Sequence, residues 1–141
     1  LAGRGPQGRA VEEGSALLRA AGGRPDDAWA LAQAKLSAQQ WAMLPKAMAS
    51  GDVSAMAGLA LPEVVARLQK LCHDLMALQV GAVPRYFESA DLPHRPLSMA
   101  ALARWWTQLG QAARTAEHSL NAGLATEFLV SGAKQALNSK G

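Results

Sequence analysis

Leu61-Pro62-Glu63-Val64-Val65-Ala66-Arg67-Leu68-Gln69-Lys70-Leu71-Cys72-His73-Asp74-Leu75-Met76-Ala77-Leu78-Gln79-Val80 is the stretch that decides the fold class. Val64, Leu68, Leu71, Leu75 and Leu78 recur at helical spacing, and Val65, Cys72 and Met76 widen the stripe, which predicts a helix over 62–80. Pro62 stands where a first helical turn tolerates proline, because that N–H has no intrahelical partner. Arg67, Lys70 and Asp74 are assigned to the polar side. An apolar face this wide predicts burial against more than one neighbour.

Working outward, the same pattern recurs. Ser98 is positioned to cap a helix over about 99–117, carrying Leu102, Trp105, Trp106, Leu109, Ala113 and Ala116. Asn121 is positioned to cap another over about 122–138, carrying Leu124, Phe128, Leu129, Ala133 and Leu137. Ser37 and Gln40 have capping-box spacing ahead of a helix with Trp41, Leu44 and Met48 on one face. Ser50-Gly51-Asp52 ends it, and Pro45 threatens to kink or shorten it. A short helix is predicted at about 52–58. Residues 81–97 hold Pro84, Pro93 and Pro96 and form the longest connection. Upstream, helices are predicted at about 10–21 and, with Pro25 in its first turn, about 25–35, separated by Gly22-Gly23.

Composition points the same way. Half of the 141 residues are apolar, yet there are two Phe, one Tyr and no Ile; Ala and Leu dominate. Such a chain is all-α. Fourteen basic against eleven acidic residues give a net charge of +3, spread without a block, which is a poor footprint for direct nucleic-acid binding. One cysteine, Cys72, excludes an internal disulfide and reads as a small buried hydrophobe. No apolar run approaches the ~20 residues of a membrane span. A reducing, cytoplasmic setting is expected. The chain opens on Leu1 in a Gly-rich stretch and is read as part of a longer protein.

Candidate chemistry is thin. Gly3-Arg4-Gly5-Pro6-Gln7-Gly8-Arg9-Ala10 mimics the glycine spacing of a phosphate-binding loop, but Arg9 and Ala10 stand where Lys and a hydroxyl residue are needed. His73, His94 and His118 are isolated and offer no ligand pair for a metal. Glu88 and Asp91 lie in the Pro-rich connection with nothing to fix their separation. No catalytic, metal or cofactor residue is assigned. The aromatic residues Trp105, Trp106, Tyr86 and Phe87 are the candidates for contact with a protein partner. Trp105 and Trp106 lie about 100° apart on a helix, and the sequence leaves open which one faces outward.

Several stretches resemble bacterial clamp-loader subunits. Leu17-Leu18, the Gly22-Gly23 turn and Ala28-Trp29-Ala30-Leu31-Ala32 resemble the end of the family's helical lid. Leu71-Cys72-His73-Asp74-Leu75-Met76 with Pro84-Arg85-Tyr86-Phe87 resembles the middle of its collar domain. Glu117-His118-Ser119-Leu120-Asn121 with Leu124 and Glu127 resembles the start of its final helix, although members often carry Pro where Ser119 stands. In the family's motor subunits an arginine senses nucleotide phosphates at the position of Asp26. Replacing it by aspartate turns ~4 kcal/mol of attraction, at about 4 Å and an effective dielectric near 20, into a similar repulsion. Asp26 also suits a helix N-terminus on its own account.

The departure at Asp26 agrees with the delta-prime branch, which does not hydrolyse ATP. The resemblance implies a remnant of the lid at 1–36 and a helical collar domain at 37–141. It implies assembly with delta and gamma/tau subunits in a heteropentamer that loads the sliding clamp on primed DNA. DNA contact would be indirect, with no membrane and no small-molecule substrate. The fragment itself would catalyse nothing, and the parent complex would be a DNA-directed DNA polymerase, a nucleotidyltransferase. Other readings are the collar of a delta or gamma/tau subunit, a helical nucleic-acid-binding module, and a small helical enzyme.

Overall fold

A computed structural model describes residues 38–141. The expected helices upstream, the lid remnant and Asp26 lie outside the described residues. Among the described residues there are four α-helices, α1 (Ala38–Ser50), α2 (Leu61–Gln79), α3 (Met99–Thr115) and α4 (Ala122–Leu137), with 3-10 turns at Val53–Met56, Ser89–Asp91 and Ala116–His118. There is no strand among the described residues.

The caps follow the sequence. Ser98 Oγ accepts from the Ala101 N–H at 3.1 Å, and Asn121 Oδ1 accepts from the Leu124 N–H at 2.9 Å; each satisfies an orphan donor of a first turn. α1 ends where Gly51 takes φ 74°. There its N–H donates to the Met48 carbonyl and that of Asp52 to Ala47, and glycine alone reaches this conformation without steric cost. Pro45 does not interrupt α1, which continues to Ser50 with Pro45 itself buried. The face it shares with Trp41, Leu44 and Met48 is buried in the core, and that burial offsets the missing backbone bond. The α3 helix is shorter than expected, tightening at Ala116–His118 into a 3-10 turn.

α2 packs on α3 and α4, and α1 packs on α4. α2 and α3 run antiparallel: Pro62 and Val65 near the start of α2 share a cavity with Ala113 and Arg114 at the end of α3. At the other end, Gln79 Oε1 accepts from the Leu97 N–H at 2.9 Å. α3 and α4 are also antiparallel, with the Ser98 N–H donating to Ser139 Oγ at 3.1 Å. They pack closely at Gly132, where a Cβ would lie 3.1 Å from Trp105 Cδ1 and 2.9 Å from Gln108 Oε1. Leu68, Leu71, Leu75, Leu102, Leu109 and Leu129 meet at the centre, all essentially inaccessible to solvent.

Candidate functional site

Two residues assigned to the polar side of α2 are buried: Asp74 completely, and Arg67 to within 8% of its surface. This corrects the sequence assignment. The Asp74 carboxylate faces inward because the Pro84–Phe87 stretch crosses over it. Oδ1 accepts from the Arg85 N–H at 2.9 Å, and Oδ2 accepts from the N–H groups of Tyr86 and Phe87 at 2.7 and 2.8 Å. His73 Nδ1 lies 3.0 Å from Oδ1. A buried carboxylate needs this many donors to offset its lost hydration.

The same crossing strand of backbone is held from α1. The Trp41 indole N–H donates to the Tyr86 carbonyl at 2.9 Å. The Trp41 and Phe87 rings stack with centroids 4.4 Å apart and planes 10° from parallel. Residues 84–87 are thus fixed by a carboxylate below and an indole beside them, without regular secondary structure.

The four aromatic contact candidates separate accordingly. Phe87 and Trp105 are 0% and 1% exposed. Both belong to the core and present no outward surface, so the expectation of contact is corrected for these two. Trp106 is 41% exposed and is the outward member of its pair. Tyr86 is half-buried; Lys70 Nζ and Arg85 Cζ each lie 5.6 Å from its ring centroid, and the His73 ring meets its edge at 5.4 Å.

Leu124 and Phe128, expected on the packed stripe of α4, are 62% and 59% exposed. Leu129, Ala133 and Leu137 of the expected stripe are buried, and Val130 and Ala136 join them on the packed face. The helical period admits Leu124 and Phe128 beside the buried residues, because this helix offers apolar residues on more than one side.

Of the residues weighed for catalysis, Glu88 and Asp91 share one 3-10 turn, with the Asp91 N–H donating to the Glu88 carbonyl at 3.0 Å, and the two histidines line different cavities. His94 lines a cavity with Leu78, Gln79 and Arg95, whereas His118 lines another with Arg114 and Glu117. Among the described residues no group of three or more His, Cys, Asp or Glu could hold a metal ion. Burial pushes the Cys72 thiol up to about 12, and its S–H donates to the Leu102 carbonyl at 3.4 Å; it stays protonated and inert at neutral pH. Among the described residues no helix is long and apolar enough to cross a membrane.

A groove of about 550 Å³ runs between α1 and the Val53–Leu59 segment, walled by Trp41, Met43, Leu44 and Leu59 with Arg67 at its base. Arg67 Nη2 donates to Glu63 Oε1 at 2.9 Å, while its Nε is buried with no partner. No local sequence pattern points to this groove, since its walls come from three separate elements. Against known families, curated proteins and solved structures, the chain has no match.

Proposed function

We propose that the chain is a non-catalytic assembly module, the collar portion of a clamp-loader subunit of the delta-prime type, with residues 1–36 as the end of the lid. In this role it holds neighbouring subunits side by side while ATP-driven partners open and load the sliding clamp on primed DNA. One observation carries the reading. The two stretches that resemble the middle of the collar, Leu71–Met76 and Pro84–Phe87, form one unit: the Asp74 carboxylate accepts from three successive backbone N–H groups of the second stretch. An all-helical bundle with Trp106 on its surface also suits a docking role, since a partly exposed tryptophan is a frequent interface anchor.

Analytical ultracentrifugation of the chain with delta and gamma/tau collar fragments tests this. A complex forming at about 50 µM of each component, an affinity of roughly 6 kcal/mol, is expected. Absence of any complex with either fragment overturns the proposal. The collar of delta or gamma/tau itself is the nearest competitor, and a preference for binding delta-prime fragments would favour it.

A second reading, a nucleic-acid-binding module, has Tyr86 in its favour, with Lys70, Arg85 and His73 gathered about one ring in a chain of pI about 9.4. It predicts binding to primed DNA that weakens steeply as salt rises. Fluorescence anisotropy at low salt decides: a flat titration removes it.

A further inference from the structure

The groove between α1 and the Val53–Leu59 segment holds a buried cation whose donors are mostly unused. Arg67, at its base, keeps 8% of its surface. A guanidinium carries five N–H groups in one plane. Among the described residues Arg67 makes one hydrogen bond, from Nη2 to Glu63 Oε1 at 2.9 Å, and its Nε is sealed from solvent with no acceptor. A buried donor without a partner is costly, and beside a cavity it calls for an acceptor from outside the chain. The groove holds about 550 Å³, inside the roughly 300–1,000 Å³ of small-molecule sites, and like them it sets a few polar groups among apolar walls.

We propose that the groove binds a small uncharged amide with an apolar body, its carbonyl accepting from the Arg67 guanidinium. Charge decides the class. Glu63 already neutralises Arg67, and Asp52 adds a second carboxylate to the groove, so a ligand carboxylate would meet two like charges. An ammonium has no acceptor to offer Arg67. An amide carbonyl supplies the acceptor without adding charge, in a hydrogen bond that the ionised donor strengthens. Seating it turns the guanidinium edge into the groove, where Nε gains the partner it lacks. The amide N–H groups find theirs in Asp52. Its Oδ1 accepts from the Ser54 N–H and the Ser54 hydroxyl, which fixes the carboxylate and leaves Oδ2 to receive a ligand donor. The apolar body lies against Met43, Leu44 and Leu59. The site uses neither Trp106 nor Tyr86 and is independent of the collar reading.

Titration of the full, isotope-labelled chain with phenylacetamide, followed by proton–nitrogen correlation spectra, tests it. A Kd of about 1 mM, ordinary for a ligand of this size, is expected, with the largest shifts at residues 40–44 and 52–59, which line the groove. Phenylacetate and phenethylamine carry the same ring with a carboxylate and an ammonium, and each is expected to bind at least about tenfold more weakly. Arg67→Met is expected to weaken phenylacetamide by a similar factor. Ala57→Trp keeps the test decisive should Arg67→Met not fold: it fills the groove from an exposed position and is expected to weaken the amide at least as much. Absence of any shift up to about 10 mM phenylacetamide overturns the proposal. So does phenylacetate binding as tightly as the amide, or an unchanged Kd in either folded variant.

Discussion

Residues 84–87 and residues 120–128 are opposites. The first stretch has no helix or strand, includes the charged Arg85, and is fastened by five contacts: three to Asp74 and two to Trp41. The second enters a capped helix, contains three large apolar side chains, and leaves all three in solvent. Regular backbone and burial are therefore separate properties. Backbone amides in an irregular segment must find partners elsewhere, and a buried carboxylate supplies them. A helix satisfies its own amides and is free to carry apolar side chains outward, at a cost that only a partner removes.

The largest way to break this contrast is Asp74→Ala. It strands the N–H groups of Arg85, Tyr86 and Phe87, each worth about 1–3 kcal/mol when buried and unpaired. Partial relaxation of the loop makes the expected loss about 3–5 kcal/mol, measured by urea unfolding. Trp41→Ala is expected to cost a similar ~3–5 kcal/mol through lost packing on Phe87. Because both side chains grip the same four residues, the double mutant should cost less than the sum, by about 0.5–3 kcal/mol. Strict additivity would mean that the two contacts do not act on one unit.

The cysteine offers a readout of how tightly this core is closed. The Cys72 thiol is raised from 9.0 to about 12 in the folded protein, so ionisation favours the unfolded chain as pH rises above 9. Below that pH the group is neutral in both states and contributes no slope. Between pH 9 and 12 it should remove stability at about 1.4 kcal/mol per pH unit. Cys72→Ala should lack that component, visible as a diverging pair of unfolding curves above pH 9. The comparison with Cys72→Ala isolates it from the tyrosine and lysines that titrate in the same range.

Much of the fold was legible because local rules and the hydrophobic period agreed. Ser98, Asn121 and Gly51 each do the capping or stopping their type suggests, and α2 buries the stripe read from Val64 to Leu75. Pro45 was misleading because tertiary burial outweighed a local penalty. Asp74 was misread because helical spacing alone assigns it to the polar side; the signal was its position between Cys72 and Leu75, with an irregular Pro84-Arg85-Tyr86-Phe87 segment downstream whose N–H groups need acceptors. Of the adjacent tryptophans, no periodic argument could choose the inner one. The choice follows from Gly132, which lets α4 approach Trp105 and not Trp106. The same limit hid Leu124 and Phe128: their exposure depends on which side of α4 faces α3, a tertiary fact.

That close approach predicts a smaller effect. Gly132→Ala gains about 1 kcal/mol of helix propensity but places a methyl 3.1 Å from a buried indole. Overpacking of this kind costs about 1–3 kcal/mol, and Trp105, 1% exposed, has no room to retreat. A net loss of about 1 kcal/mol is expected by thermal unfolding. A gain would show that the two helices are looser at this crossing than their contacts indicate.

The smallest expected effect sharpens the contrast most. Phe128→Glu removes an aromatic ring from a helix of the bundle, and in a core that change costs about 3–5 kcal/mol. At 59% exposure, the ring should leave chain stability within about 0.5 kcal/mol when unfolding is measured at submicromolar concentration. Leu129→Ala, one residue further on and 1% exposed, should cost about 2–5 kcal/mol under the same conditions. Two adjacent positions of one helix would then differ several-fold in their cost. If both substitutions cost the same, residue 128 already has a partner within the chain, and the outward face of α4 is not the free surface that its exposure describes.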